Sequence, residues 1–194
     1  MKGAVAICIF IAFTALGGYA QTLKEAIAKQ DTIIAAKLIK EGADPNAKDA
    51  NGSTLLMEAC HFPNLPVAVF LLNHGATVNQ PRSAKGRTAL MVACAYWCGV
   101  DMVKLLLQYG ADVNVQSLDG TTSLMLAASS EKLDVVNYLL EHGADANKKN
   151  AAGKTALNFA TDSKIEDYMI KSIKDTRFDK EKVIESLTAA TKNN

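Results

Sequence analysis

Apolar residues along this chain come in short bursts, and the bursts recur. The longer kind is Val67-Ala68-Val69-Phe70-Leu71-Leu72, Met102-Val103-Lys104-Leu105-Leu106-Leu107 and Val135-Val136-Asn137-Tyr138-Leu139-Leu140. Each predicts a buried helix that stops at the following Gly75, Gly110 or Gly143, because glycine enters the left-handed conformation without a Cβ penalty. Ahead of each lies a shorter block with Thr, Leu and Ala at fixed offsets, as in Thr54/Leu56/Ala59, Thr88/Leu90/Ala93 and Thr122/Leu124/Ala127. The threonine hydroxyl predicts an N-cap that accepts from a backbone N–H two or three residues on. Leu and Ala then share one helix face, and the small Ala lets a second helix approach closely.

The blocks keep phase. Gly-x-Thr-x-Leu-x-x-Ala starts at Gly52, Gly86, Gly120 and Gly153, at intervals of 34, 34 and 33 residues. Gly-Ala-(Asp/Thr)-x-Asn starts at Gly42, Gly75, Gly110 and Gly143, at intervals of 33, 35 and 33. Two independent blocks with one period predict a solenoid in which each two-helix unit covers the apolar side of the next.

On these blocks, residues 22 to about 172 resemble the ankyrin repeat family, whose unit is a turn or hairpin followed by two antiparallel helices. The resemblance implies an all-α, ankyrin-type solenoid of stacked helix-turn-helix repeats with short hairpin or turn connections. Its domain spans 21–174, in units 21–49, 50–83, 84–117, 118–150 and 151–174. The family's Thr-Pro-Leu-His reads Thr54-Leu55-Leu56-Met57 in the second unit, so a rigid helix start and a Thr–His hydrogen bond are lost. Met57, Met91 and Met125 recur at one repeat position and read as adaptable core filling. The remaining 175–194 predict a capping helix and tail, amphipathic from Asp179 to about Ala189, with Val183, Ile184 and Leu187 on one side.

The first 20 residues read differently. Lys2 precedes an apolar run from Ala4 to Leu16, and Gly18-Tyr19-Ala20 offers small residues to a signal peptidase. Cleavage between Ala20 and Gln21 is expected, since the run is shorter than the 18 or more residues of a spanning helix. The short leader looks bacterial, which places the mature chain in the periplasm or makes it secreted. If the segment stays attached, the alternative is a membrane-anchored scaffold.

Charge narrows the partner class. Lys and Arg number 21 against 20 Asp and Glu. This balance gives no basic excess to neutralise phosphates and no general attraction to an anionic membrane. Neither nucleic acid nor, after cleavage, a membrane is expected as a partner.

Within ankyrin-like proteins the binding surface is the row of hairpin tips plus the concave face of the first helices. The resemblance puts Arg82 and Lys85 among the tips here. It puts Glu58, Phe62, Val92, Tyr96, Leu126, Ser130 and Phe159 along the concave row. That row is more apolar than a solvated face needs, which predicts a protein that covers it. The 35-residue interval holds two one-residue insertions, one within Gln80 to Lys85 and one in Tyr96-Trp97-Cys98-Gly99. Insertions in solenoids map to loops on the binding side, so Tyr96 and Trp97, the single Trp, are expected contacts. The alternative for Trp97 is packing against the next unit's turn.

The side chains of a catalytic site are not assembled. His74 and His142 precede repeat-ending glycines two units apart, and His61 beside Cys60 has no third ligand at metal-site spacing. No glycine-rich phosphate loop appears. Cys60 and Cys94 fill the same slot of neighbouring units, about 8 to 10 Å apart in stacked helices, and read as small core hydrophobes. Cys98, four residues after Cys94 on an expected helix, is the candidate free thiol or intermolecular link. The expectation is a non-catalytic monomer without cofactor, metal or small-molecule substrate that binds a protein. Immunity or protection of an envelope or secreted enzyme is the role in view, and an enzyme is the least favoured class.

Overall fold

A computed structural model describes residues 22–82, 84–96, 98–162 and 180–192. The expected leader with its Ala20/Gln21 cleavage point lies outside them, as does Trp97.

The described helices are α1 (residues 22–28), α2 (Thr32–Lys40), α3 (Leu55–His61), α4 (Leu65–Asn73), α5 (Ala89–Ala95), α6 (Val100–Gln108), α7 (Ser123–Ser129), α8 (Leu133–Glu141), α9 (Ala156–Asp162) and α10 (Lys180–Lys192). First helices are seven residues long in α3, α5, α7 and α9, and second helices nine in α4, α6 and α8. The first helices stack in one layer and the second helices in another, while α10 packs on α8 and α9.

Threonine starts the first helices as its chemistry requires. The hydroxyls of Thr54, Thr88 and Thr122 accept from the N–H groups of Met57, Met91 and Met125 at 3.3, 3.4 and 3.2 Å. At Thr155 the methionine is replaced by Asn158, whose Oδ1 takes both the Thr155 N–H, at 2.9 Å, and its hydroxyl, at 3.0 Å. Leu56, Leu90 and Leu124 are buried behind these caps, each contributing about 1.5–3 kcal/mol, and Met57, Met91 and Met125 are buried beside them. Ala59, Ala93, Ala127 and Ala160 sit where the helices meet, where a larger side chain would hold them apart.

The second helices end on a left-handed glycine. At Gly143 (φ +83), the Ala144 N–H reaches back to the Leu139 carbonyl at 2.9 Å, closing the last turn. Ala43, Ala76 and Ala111 make the same bond to Leu38, Leu71 and Leu106.

The asparagine of each repeat joins one unit to the next. Asn46 donates from Nδ2 to the Gly75 carbonyl at 2.9 Å and accepts the Thr77 N–H at 2.7 Å. Asn79 does the same to Gly110 and Asp112, both at 2.9 Å. Asn114 continues to Gly143 and Asp145, at 2.8 and 2.9 Å. At the far end Val183 and Leu187 of α10 are buried, and Ile184 packs against the same core.

Candidate functional site

The short first helices set the site, because their last residues project past the stack. His61 closes α3 and Phe62 follows it, while Tyr96 follows α5. The His61 ring meets Phe62 at 4.5 Å and Tyr96 at 4.1 Å between centroids, both edge to face. Phe62 is 73% exposed and Tyr96 37%, so this aromatic wall faces outward. It borders a groove of about 390 Å³ that also touches Lys24, Met57, Glu58, Arg82 and Val92. Glu58 holds Lys24 at 2.6 Å, and that hydrogen bond keeps the ammonium above the ordinary lysine range.

Of the other expected site residues, Val92 lies at this groove, whereas Leu126, Ser130, Phe159 and Lys85 do not line it. Val92 and Leu126 are 7% and 8% exposed, a correction to their place in an open apolar row. Helical period assigns them to the right face, but neighbouring helices close over that face and leave them as its floor. Ser130 is half-buried, with its hydroxyl 3.5 Å from the Ala95 carbonyl, and Phe159 is half-buried against the core. Lys85 is exposed on its hairpin, where its carbonyl accepts the Leu118 N–H at 3.1 Å.

Behind Tyr96 lies a feature the sequence reading missed. Lys132 is 6% exposed, and its three N–H groups are shared among the carbonyls of Ala93 at 3.3 Å, Cys94 at 3.1 Å, Cys98 at 3.4 Å and Tyr96. These carbonyls end α5 and line the inserted connection, so the ammonium sits where the helix dipole is negative. Burial pushes the Lys132 pKa down from the lysine range. The only advance signal was the insertion itself, which leaves spare carbonyls. Next to it, Glu131 (φ +54) is fully buried and neither carboxylate oxygen has a partner.

Cys98 corrects a second expectation. Helix α5 stops at Ala95, so Cys98 turns inward instead of continuing a helical face, and its thiol donates to the Cys60 carbonyl. Its thiol is free, as expected, but it is buried, which does not present it for an intermolecular link. Burial pushes the thiols of Cys60 and Cys98 up and that of Cys94 up to about 12, against the opposing pull of Lys132 on Cys94 and Cys98. Protonated thiols are poor nucleophiles. His74 and His142 bring Nδ1 to the carbonyls of Phe70 and Tyr138, each at 2.8 Å, with rings stacked or tilted on those same residues. Among the described residues no group of three His, Cys, Asp or Glu could hold a metal ion, and no helix is long and apolar enough to cross a membrane.

What the arrangement offers chemically is an open, partly aromatic groove. The sequence profile of the family described as "Ankyrin repeats (3 copies)" matches residues 23–117 and 100–174. Rabankyrin-5 of Homo sapiens is 37% identical over 89 residues, which cover 40% of this chain and 8% of that protein. Ankyrin repeat and SAM domain-containing protein 6 of Rattus norvegicus is 37% identical over 95 residues, covering 46% of this chain and 11% of its own length. Tyrosine-protein kinase HTK16 of Hydra vulgaris is 32% identical over 101 residues, covering 52% of this chain and 13% of its own. The chain thus spans a small fraction of these relatives.

Proposed function

The chain belongs to the ankyrin repeat family, whose repeats are non-catalytic protein-interaction modules, and from that premise we propose that it grips a protein partner outside the cytoplasm. The concave helix face and the hairpin tips form the contact. The observation that carries this reading is the outward-facing wall of Phe62, His61 and Tyr96 beside the groove, since large aromatics exposed together are costly unless a partner covers them. The apolar Ala4–Leu16 run and the small residues before Gln21 support export and cleavage. The partner is then an exported protein, such as an envelope enzyme or a secreted toxin held in check.

The test starts with the mass of the N-terminus in protein recovered from the envelope fraction: Gln21 first supports export, and an intact Met1 favours the anchored scaffold. Partners cross-linked to the full chain are then compared with those of Phe62→Ser and Tyr96→Arg. Both variants should lose the partner while keeping the thermal midpoint. An unchanged set of partners would remove this face from the account.

A further inference from the structure

We infer that the groove beside Arg82 takes an extended polypeptide segment that carries a large apolar side chain next to a carboxylate. The inference rests on the interaction reading above and specifies what the partner presents there.

Size comes first. A groove of about 390 Å³ holds one or two side chains of a segment, not the face of a folded domain. Arg82 also borders a second depression of about 450 Å³, touched by Lys48, Asp49, Asn51 and Ala84 on the hairpin side. Two depressions that share one wall suit a chain running from one into the other. The aromatic rings set the apolar requirement: Phe62, His61 and Tyr96 contact one another at 4.1 and 4.5 Å and so form one continuous wall. Rings packed edge to face in this way do not surround a cation as a cage does.

Charge sets the polar requirement. The groove's carboxylate, Glu58, is already paired with Lys24 at 2.6 Å. Asp49, the acid of the second depression, accepts the N–H groups of Asn51 and Ser53, both at 2.8 Å. Lys48 points its ammonium at the Pro81 carbonyl, 3.0 Å away. Arg82 donates from Nε to the Asn51 carbonyl at 3.2 Å, and among the described residues no hydrogen bond or ion pair engages its two terminal nitrogens. Around the two depressions Lys24, Lys48 and Arg82 outnumber Glu58 and Asp49, so the balance is positive, and the unengaged end of Arg82 has the planar geometry that receives a carboxylate in two parallel bonds. The hairpin that carries Arg82 is also the one with an inserted residue between Gln80 and Lys85.

Random dodecapeptides displayed on phage and panned against the full chain test this. The selected peptides should share an aromatic or large aliphatic residue within three positions of Asp or Glu. Titrated against the chain, a synthetic consensus peptide should bind Arg82→Glu about tenfold more weakly or worse, and Arg82→Lys with an intermediate loss. Replacing the peptide's acid by lysine should restore binding to Arg82→Glu. Phe62→Ser should weaken the peptide without moving the thermal midpoint, since Phe62 is exposed. Selected peptides without an acid, equal affinity for Arg82→Glu, or no retained peptide overturns the inference. If peptides fail but a cross-linked partner is still lost with Tyr96→Arg, the interaction reading survives alone; if both fail, both go.

Discussion

Along the outer turns, neighbouring units are joined by a side chain that recurs with the repeat; between α5 and α8 they are joined by one that occurs once. Asn46, Asn79 and Asn114 each place a neutral amide on the next turn, satisfying one carbonyl and one N–H at 2.7 to 2.9 Å. Lys132 instead buries a charge to satisfy carbonyls of Ala93, Cys94, Tyr96 and Cys98. Burying an ammonium costs several times what burying an amide does, so it holds only where several acceptors already converge. The periodic contact spreads its stabilisation over every unit, whereas the single contact concentrates it beneath the exposed Tyr96.

The sharpest way to break this contrast is Lys132→Met, which keeps the aliphatic stem and strands the carbonyls. A loss of about 3 kcal/mol in chemical denaturation is expected, because buried acceptors without partners cost about 1–3 kcal/mol each. Faster hydrogen exchange at residues 94–99, with Asn79 and its neighbours unaffected, would place the damage in the connection. Stability equal to the native chain would show that Lys132 does not organise it.

Gly120→Ala comes next and tests how tightly the hairpins stack. A Cβ there would lie 2.9 Å from the Asn150 Cα, at a φ of +76. Gly143 has a similar φ of +83 with nothing within 4 Å of the added carbon. Both pay about 1–2 kcal/mol for a left-handed alanine, and only Gly120→Ala adds a collision with backbone, so its thermal midpoint should fall further. Equal shifts would mean the neighbouring hairpin simply yields.

The ladder itself is probed by Asn79→Ala, with an expected loss of about 1–2 kcal/mol as the Gly110 carbonyl and Asp112 N–H lose their partner.

These sites also mark where the sequence was legible. The threonine caps, the buried Leu, Met and Ala, and the glycine stops repeat with the period, and each acts within a few residues of itself. Asn79 recurs just as faithfully, yet its partner lies 31 residues on, so it reads locally as a turn former. Val92 and Leu126 show that a helical period gives a face but not the depth at which neighbouring helices bury it. Cys98 was assigned to a helix that ends at Ala95, and Lys132 looks like any surface lysine until the carbonyls of the preceding unit are in place.

The smallest expected effect concerns Glu131, the other side of the once-only contact. Its carboxylate is fully buried and unpartnered, and its φ of +54 is one that a residue with a Cβ adopts at a cost. Nothing in the repeat requires an acid there, since the equivalent position two units earlier is Pro63. Glu131→Gln keeps the volume and the backbone while removing the group most costly to desolvate, so stability should rise by about 1 kcal/mol. Glu131→Gly would add relief of the left-handed strain but also empty the space, which makes the Gln variant the cleaner measurement. If Glu131→Gln lowered the denaturation midpoint instead, the carboxylate would be supporting the neighbouring Lys132 ammonium through space, and the two residues would form one buried electrostatic unit. The double variant Lys132→Met/Glu131→Gln decides it: additive changes keep them independent, and a smaller loss than the sum couples them.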